Sequence, residues 1–358
     1  MTSTTGHEIP VVELARWDGG GTDAVEAARE IVDVCHQIGF FVVDDHGVPP
    51  TLFDDVDELM HRLFALPVEV KETIDKRHSP HIRGWERIGS ESTNGRPDIR
   101  EQVDLWTEHP ARTPRPDRPS DRLFGPNQWF PDDVLPGSAD LVGRWVAALR
   151  DVADRLLAAL SVGMGLDSDH LRPVFDREPM SLLKLIRYPP TPDGGAGVNA
   201  HHDTGFLTVL AAGETPGLEV EAPDGTWIAV PPSRHRLVVN LGEMLQAMTG
   251  NYLVATPHRV ITETERFSAA YFHGPSLDTE LLRLPVDPSF AAAVEASPRH
   301  RDAGFMAPRH ETIAGVGDMA STHRASTYGE QLWNYFVRSY PDIVAEHHPD
   351  VVDAGVSG

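Results

Sequence analysis

The sequence predicts an α+β protein in which helices pack around a β-core, and two observations lead there. Apolar residues recur at helical spacing in the first half of the 358-residue chain, and from Ser181 the texture changes to short β-prone runs between turn residues. Hydrophobic residues at 40% and charged residues at 24% are ordinary for a globular chain and unlike collagen, coiled coil or disorder. The 31 Lys and Arg stand against 54 Asp and Glu, a formal charge of −23 with histidine neutral. No basic run offsets that charge, which argues against nucleic acid and anionic membrane surfaces as partners. No apolar run approaches the roughly 18 residues of a membrane span. The start, MTSTTGHEIP, lacks the basic and apolar regions of a signal peptide, so the expected location is cytoplasmic. Cys35 is the only cysteine. An internal disulfide and a cysteine-rich zinc site are thereby excluded, and metal chemistry has to use His and carboxylate.

The elements follow in order. Residues 9–13 (IPVVE) read as a short strand, and DGGGT at 18–22 breaks the chain before a helix over 24–36, ended by Gly39. Phe40 to Val43 form a β-prone run with a turn around His46 to Val48, and a second helix spans 50–65. Residues 77–135, rich in Pro, Arg and Asp, read as irregular covering chain. Leu141, Trp145, Leu149, Val152, Leu156 and Leu160 then fall at helical spacing over 138–164. The β-prone runs are LLKLIRY, FLTVLAA, LEVEA, WIAV, RLVVNL, HRVITE and RFSAAYF, with a hairpin turn at PDG (223–225). Such short, evenly spaced strands suggest a sandwich or a closed double sheet. After His273 the chain reads as loop-rich until a last helix over 328–340, and the acidic tail after Pro341 reads as loosely held.

Side chains two apart on an extended chain point the same way, so His201 and Asp203 can serve one metal ion, with His258 from a separate strand as third ligand. Two imidazoles and one carboxylate with open positions form the non-haem Fe(II) pattern. In a chain with 18 histidines His-x-Asp pairs also arise by chance, and spacing alone does not separate the two readings. His202 should point away from the pair. Arg266 and Ser268 share a face of the next strand and can clamp one carboxylate, while Arg266 taken alone reads rather as a surface charge on a strand.

In order along the chain, HHDTGFLTVL (201–210), GLEVEAPDGTWIAVPP (217–232), VVNLGEMLQAMTG (238–250), TPHRV (256–260) and RFSAAYF (266–272) resemble the isopenicillin N synthase-like Fe(II)/2-oxoglutarate oxygenases. IPVVEL, GFFVVDDHGVP (39–49) and LPVEVK (66–71) resemble that family's helical flank. The resemblance implies a double-stranded β-helix, or jelly roll, flanked by helices, with Fe(II) on His201, Asp203 and His258 and O2 and 2-oxoglutarate as cosubstrates. It implies further that Arg266 and Ser268 bind the distal carboxylate of 2-oxoglutarate. Tyr188 matches a family tyrosine at the same cosubstrate, and Arg187 resembles an arginine of the bacterial ethylene-forming members that also reaches the cosubstrate, though it reads equally as a solvated side chain. GSESTNGRPDIRE (89–101) and WNYFVRSYPD (333–342) resemble segments of those members that bind L-arginine, at Glu91, Thr93 and Arg338. Thr204 departs from them, standing where they place a tyrosine. The expected substrate is therefore small and polar, either amino-acid-like or a specialised metabolite, without arginine being assigned, and Glu91 and Arg338 read equally as paired structural charges.

The expected organisation is a helical and irregular flank over 1–135, a supporting helix over 136–178, the dioxygenase jelly-roll core over 179–276, and a covering loop and helix over 277–358. The expected activity is oxidative decarboxylation of 2-oxoglutarate to succinate and CO2 coupled to C–H oxidation, with hydroxylation as the default outcome. Two alternatives stay open on sequence grounds: an iron oxidase that uses no 2-oxoglutarate, and a metal-dependent binding or sensor jelly roll without turnover.

Overall fold

The structure, a computed structural model, describes residues 8–93, 95–191, 195–301 and 327–351. The strands are β1 (Val11–Glu13), β2 (Phe40–Asp44), β3 (Gly84–Glu86), β4 (Ser92–Thr93), β5 (Arg96–Pro97), β6 (Glu101–Trp106) and β7 (Leu182–Tyr188). They continue with β8 (Ala196–His201), β9 (Leu207–Ala211), β10 (Leu218–Glu221), β11 (Trp227–Ala229), β12 (Leu237–Leu241), β13 (His258–Ile261) and β14 (Arg266–His273). An eight-stranded sheet in the order β1-β2-β12-β9-β14-β7-β6-β3 faces a four-stranded sheet in the order β11-β10-β13-β8. Phe40, Val42, Ile186, Val238 and Ala270 from the large sheet meet Val198, Val220 and Val260 from the small one in a buried interior layer. This is the double-stranded β-helix, and the expected fold class holds.

The helices are α1 (Leu14–Asp18), α2 (Gly21–Gln37), α3 (Pro50–Phe64), α4 (Val68–Lys71), α5 (Ser138–Gly163), α6 (Arg172–Asp176), α7 (Glu243–Met248), α8 (Pro288–Ala296), α9 (Pro298–Arg301), α10 (Tyr328–Ser339) and α11 (Pro341–His347). No described helix is long and apolar enough to cross a membrane. The α5 row Trp145, Leu149, Val152, Leu156 and Leu160 is fully buried and covers the outer face of the large sheet together with α2 and α3. Gly163 is required where α5 meets α2, because a Cβ there would lie 2.3 Å from the Ala28 carbonyl oxygen.

Three expectations need correction. The stretch 77–135 is not wholly irregular: β3 and β6 extend the large sheet, β6 pairing with β7 from Glu101↔Arg187 to Trp106↔Leu182. Its sequence EQVDLW hid the strand because every residue is buried, charges included, so no polar–apolar alternation marks it. The loop-rich reading after His273 is interrupted by α8 and α9, and residues 302–326 lie outside the described residues. The tail past Pro341 is anchored at its start, since α11 buries Ile343 and Val344. The sequence reading also passed over β8, whose small and polar residues AGVNAH carry little strand propensity.

Candidate metal and cosubstrate site

The two sheets bring the ligand candidates together through one pairing, because His201 at the end of β8 lies opposite His258 at the start of β13. Asp203 follows in the turn after β8, held by backbone bonds to the start of α7, where the Glu243 amide donates to the Asp203 carbonyl at 2.8 Å. One ligand atom from each of His201, Asp203 and His258 falls within 4.8 Å of the others, the one such cluster among the described residues. Both Nε2 atoms lie 3.7 Å from Asp203 Oδ1.

The surrounding bonds orient each ligand. His201 Nδ1 pairs with the Asn199 carbonyl at 2.9 Å and His258 Nδ1 with the Thr256 carbonyl at 3.1 Å. A carbonyl accepts only, so Nδ1 carries the proton on both rings and Nε2 presents its lone pair toward the shared centre. Asp203 Oδ2 accepts from Thr208 Oγ1 and from Asn240 Nδ2 at 2.7 Å, which leaves Oδ1 for a cation. Burial, and then the neighbouring His258, push the His201 imidazole down to about 4, so it is neutral at pH 7. Burial alone would raise the Asp203 carboxyl, but His258, His201, Thr208 and Asn240 together hold it below the usual carboxylate value. Thr208 and Asn240 were not anticipated, although each is a polar residue inside an otherwise apolar strand, and that was the available signal.

Arg266 and Ser268 are each 1% exposed and face the interior of the jelly roll. Arg266 Nη2 donates to the Ala212 carbonyl at 2.9 Å, and the guanidinium sits 5.2 Å from the Tyr188 ring centroid. Arg266 Nε and Ser268 Oγ have no hydrogen-bond partner, and no described carboxylate forms an ion pair with Arg266. A desolvated guanidinium without an anion costs several kcal/mol, on the order of the penalty for an unpaired buried charge. A carboxylate that accepts from both groups removes that cost, so these residues fit the distal end of 2-oxoglutarate. Tyr188 packs on the backbone of β8, where a Cβ at Gly197 would lie 2.6 Å from its ring.

Arg187 is a correction. It pairs in register with Phe267, whereas Tyr188 pairs with Arg266, so strand alternation puts Arg187 on the opposite face of the sheet from the clamp. There it forms ion pairs of 2.7 Å with Glu101 and Glu265. Glu91 and Thr93 are brought to the inner side of β6 and β7. Glu91 Oε2 accepts from Arg100 at 2.7 Å, Gln102 at 2.8 Å and Lys184 at 3.3 Å, and Oε1 accepts from Tyr335 at 3.2 Å. Thr93 Oγ1 donates to Asp98 at 2.8 Å. Arg338, near the end of α10, is exposed. His202 is partly buried between the two ligands.

Residues 179–275 match the 2OG-Fe(II) oxygenase superfamily, and residues 9–132 match the family described as non-haem dioxygenase in morphine synthesis N-terminal. A 2-oxoglutarate-dependent dioxygenase of Gibberella zeae is 31% identical over 340 residues, covering 90% of this chain and 87% of that protein. The chain belongs to the 2OG-Fe(II) oxygenase superfamily. Homoarginine-6-hydroxylase 2-ODD-C23 of Glycine max is 29% identical over 299 residues, 77% of this chain and 88% of that protein. Among solved structures of the superfamily, JOX2 in complex with 2OG, Fe and JA is similar with a TM-score of 0.64 and 27% identity, over 80% of each chain. This oxygenase is thus a 2-oxoglutarate-dependent dioxygenase that works with Fe(II), 2-oxoglutarate and O2.

Proposed function

We propose that this oxygenase hydroxylates a small, polar, amino-acid-like substrate, with Fe(II) held by His201, Asp203 and His258 and the distal carboxylate of 2-oxoglutarate held by Arg266 and Ser268. The carrying observation is the pair of buried, unpartnered donors on Arg266 and Ser268 in the same interior as the triad. When bound, iron, 2-oxoglutarate and O2 together supply an oxidant for a C–H bond, with succinate and CO2 as co-products. The chain's own share is positioning. Asn240 and Thr208 fix the Asp203 carboxylate, the Asn199 and Thr256 carbonyls fix the imidazole tautomers, and the apolar interior excludes water.

The substrate class is supported by relatives named as homoarginine-6-hydroxylases in Glycine max, Arabidopsis thaliana and Oryza sativa. It is supported too by the buried ions around Glu91 on the inner side of β6 and β7. The isopenicillin N synthase-like resemblance belongs to this proposal on its sequence motifs, the relatives that support the reading are fungal and plant proteins and not bacterial ones, and exposed Arg338 is left out of the proposed site. The test is succinate formation by the Fe(II)-loaded protein with 2-oxoglutarate and O2 across a panel of amino acids. Succinate equal to oxidised substrate is the expected result. Oxygen consumption without succinate would favour an iron oxidase instead.

A further inference from the structure

The inner face of β6 carries two residues that nothing so far uses. Gln102 and Asp104, two apart on the strand, are 1% and 2% exposed. Gln102 pairs with Ile186, which pairs with Ser268, so Gln102 lies in the same cross-strand row as the carboxylate clamp. Asp104 pairs with Lys184, which pairs with Ala270, and so occupies the adjacent row. Two strand spacings separate β6 from β14, about 10 Å, which a small amino acid can bridge.

Each residue is half satisfied. Gln102 Nε2 donates to Glu86 at 2.9 Å and to Glu91 at 2.8 Å, but Gln102 Oε1 is buried without a donor. Asp104 Oδ2 accepts from Lys76 at 2.8 Å and from Lys184 at 3.3 Å, and Asp104 Oδ1 is likewise buried without a donor. In the ion pairs that link this cluster, the cations Lys76, Arg100 and Lys184 face the carboxylates Glu86, Glu91, Asp98 and Asp104. The cluster is therefore one positive charge short, and of its three buried acceptors without a donor, Asp98 Oδ1, Gln102 Oε1 and Asp104 Oδ1, the last two sit two residues apart on one strand face. Glu91 offers no such vacancy, since both its oxygens are occupied.

We infer that Asp104 Oδ1 and Gln102 Oε1 are specificity-determining acceptors that bind an N–H-bearing cation of the primary substrate, an ammonium or a guanidinium. A monocation neutralises the cluster and fills both acceptors, whereas a neutral isostere leaves a buried carboxylate oxygen unpaired, which is the stronger source of discrimination. The inference rests on the proposed reading of the site as one for a small polar substrate.

The test uses the full chain loaded with Fe(II) and 2-oxoglutarate under anaerobic conditions, titrated calorimetrically with L-homoarginine, L-homocitrulline and Nα-acetyl-L-homoarginine. Homocitrulline removes the side-chain charge and the acetyl compound removes the ammonium. At least one of them should bind ten or more times more weakly than homoarginine, and the Asp104→Asn protein should lose that preference. Equal binding of all three, binding of none, or an unchanged preference in Asp104→Asn would overturn the inference. Should Asp104→Asn fail to fold, the comparison of the three ligands on the native protein decides. Failure of the native protein to make any succinate from 2-oxoglutarate marks failure of the oxygenase reading, while succinate without charge preference defeats this inference alone.

Discussion

At the scale of single residues, what decides the chemistry is which polar atoms the fold leaves unpaired. Arg266 is buried, donates to the Ala212 carbonyl and pairs with no described carboxylate, its Nε has no partner, and Ser268 Oγ has none either. Arg266→Lys keeps the charge but loses the planar fork, so 2-oxoglutarate should bind more weakly by roughly 1.5–3 kcal/mol, the worth of one charged hydrogen bond. That is about a 10- to 150-fold rise in the dissociation constant, read by anaerobic titration, and unchanged affinity would remove the clamp from the account. The triad was legible in the sequence through its His-x-Asp spacing, although Asp203 sits in the turn after β8, and the proposed clamp is read from an Arg-x-Ser pair that obeys the two-residue period of a strand. Arg187 was misjudged by neglect of the same period, being one residue from Tyr188 and hence on the other face. Asp104 and Gln102 were illegible because their meaning depends on Lys184, Glu86 and Glu91, which come from other segments.

At the scale of elements, long periodic segments were easy to read and buried charged ones were not. The α5 helix shows its apolar row plainly, and the structure buries that row against the large sheet. Leu156 is 0% exposed, so Leu156→Ala should cost about 2–5 kcal/mol of stability through lost burial and the cavity left behind. Denaturant titration measures this, and a loss below about 1 kcal/mol, a typical surface value, would mean that α5 packs differently. The opposite case is β6. Its Glu101 pairs with Lys71 at 2.7 Å and its Asp104 with Lys76 at 2.8 Å, on opposite faces of the strand. Only those tertiary partners make a strand of such composition tolerable inside the protein, and they cannot be read from a window of sequence.

At the scale of the whole molecule, buried histidines set how stability responds to acid. Burial lowers His46, His81 and His273 from their ordinary value of 6.5. His273 is stacked on Phe175 at 4.3 Å and is 1% exposed, and this burial outweighs the Asp154 carboxylate 3.0 Å from its Nε2, which favours the charged form. As pH falls through about 6.5, the unfolded chain takes up protons that the folded chain refuses, and stability declines with falling pH toward the folded values. Thermal melts of the metal-free protein should therefore show a lower Tm at pH 5.5 than at pH 7.5, and an equal or higher Tm would contradict this. The same imidazole logic applied at the triad gives the most direct measurement of the central claim, that His201, Asp203 and His258 form the iron centre. Metal analysis after anaerobic reconstitution should find one Fe(II) retained per native chain, and essentially none in His201→Ala, Asp203→Ala or His258→Ala proteins that keep the native circular dichroism. A native chain that retains no iron, or folded variants that still retain one ion, would contradict it.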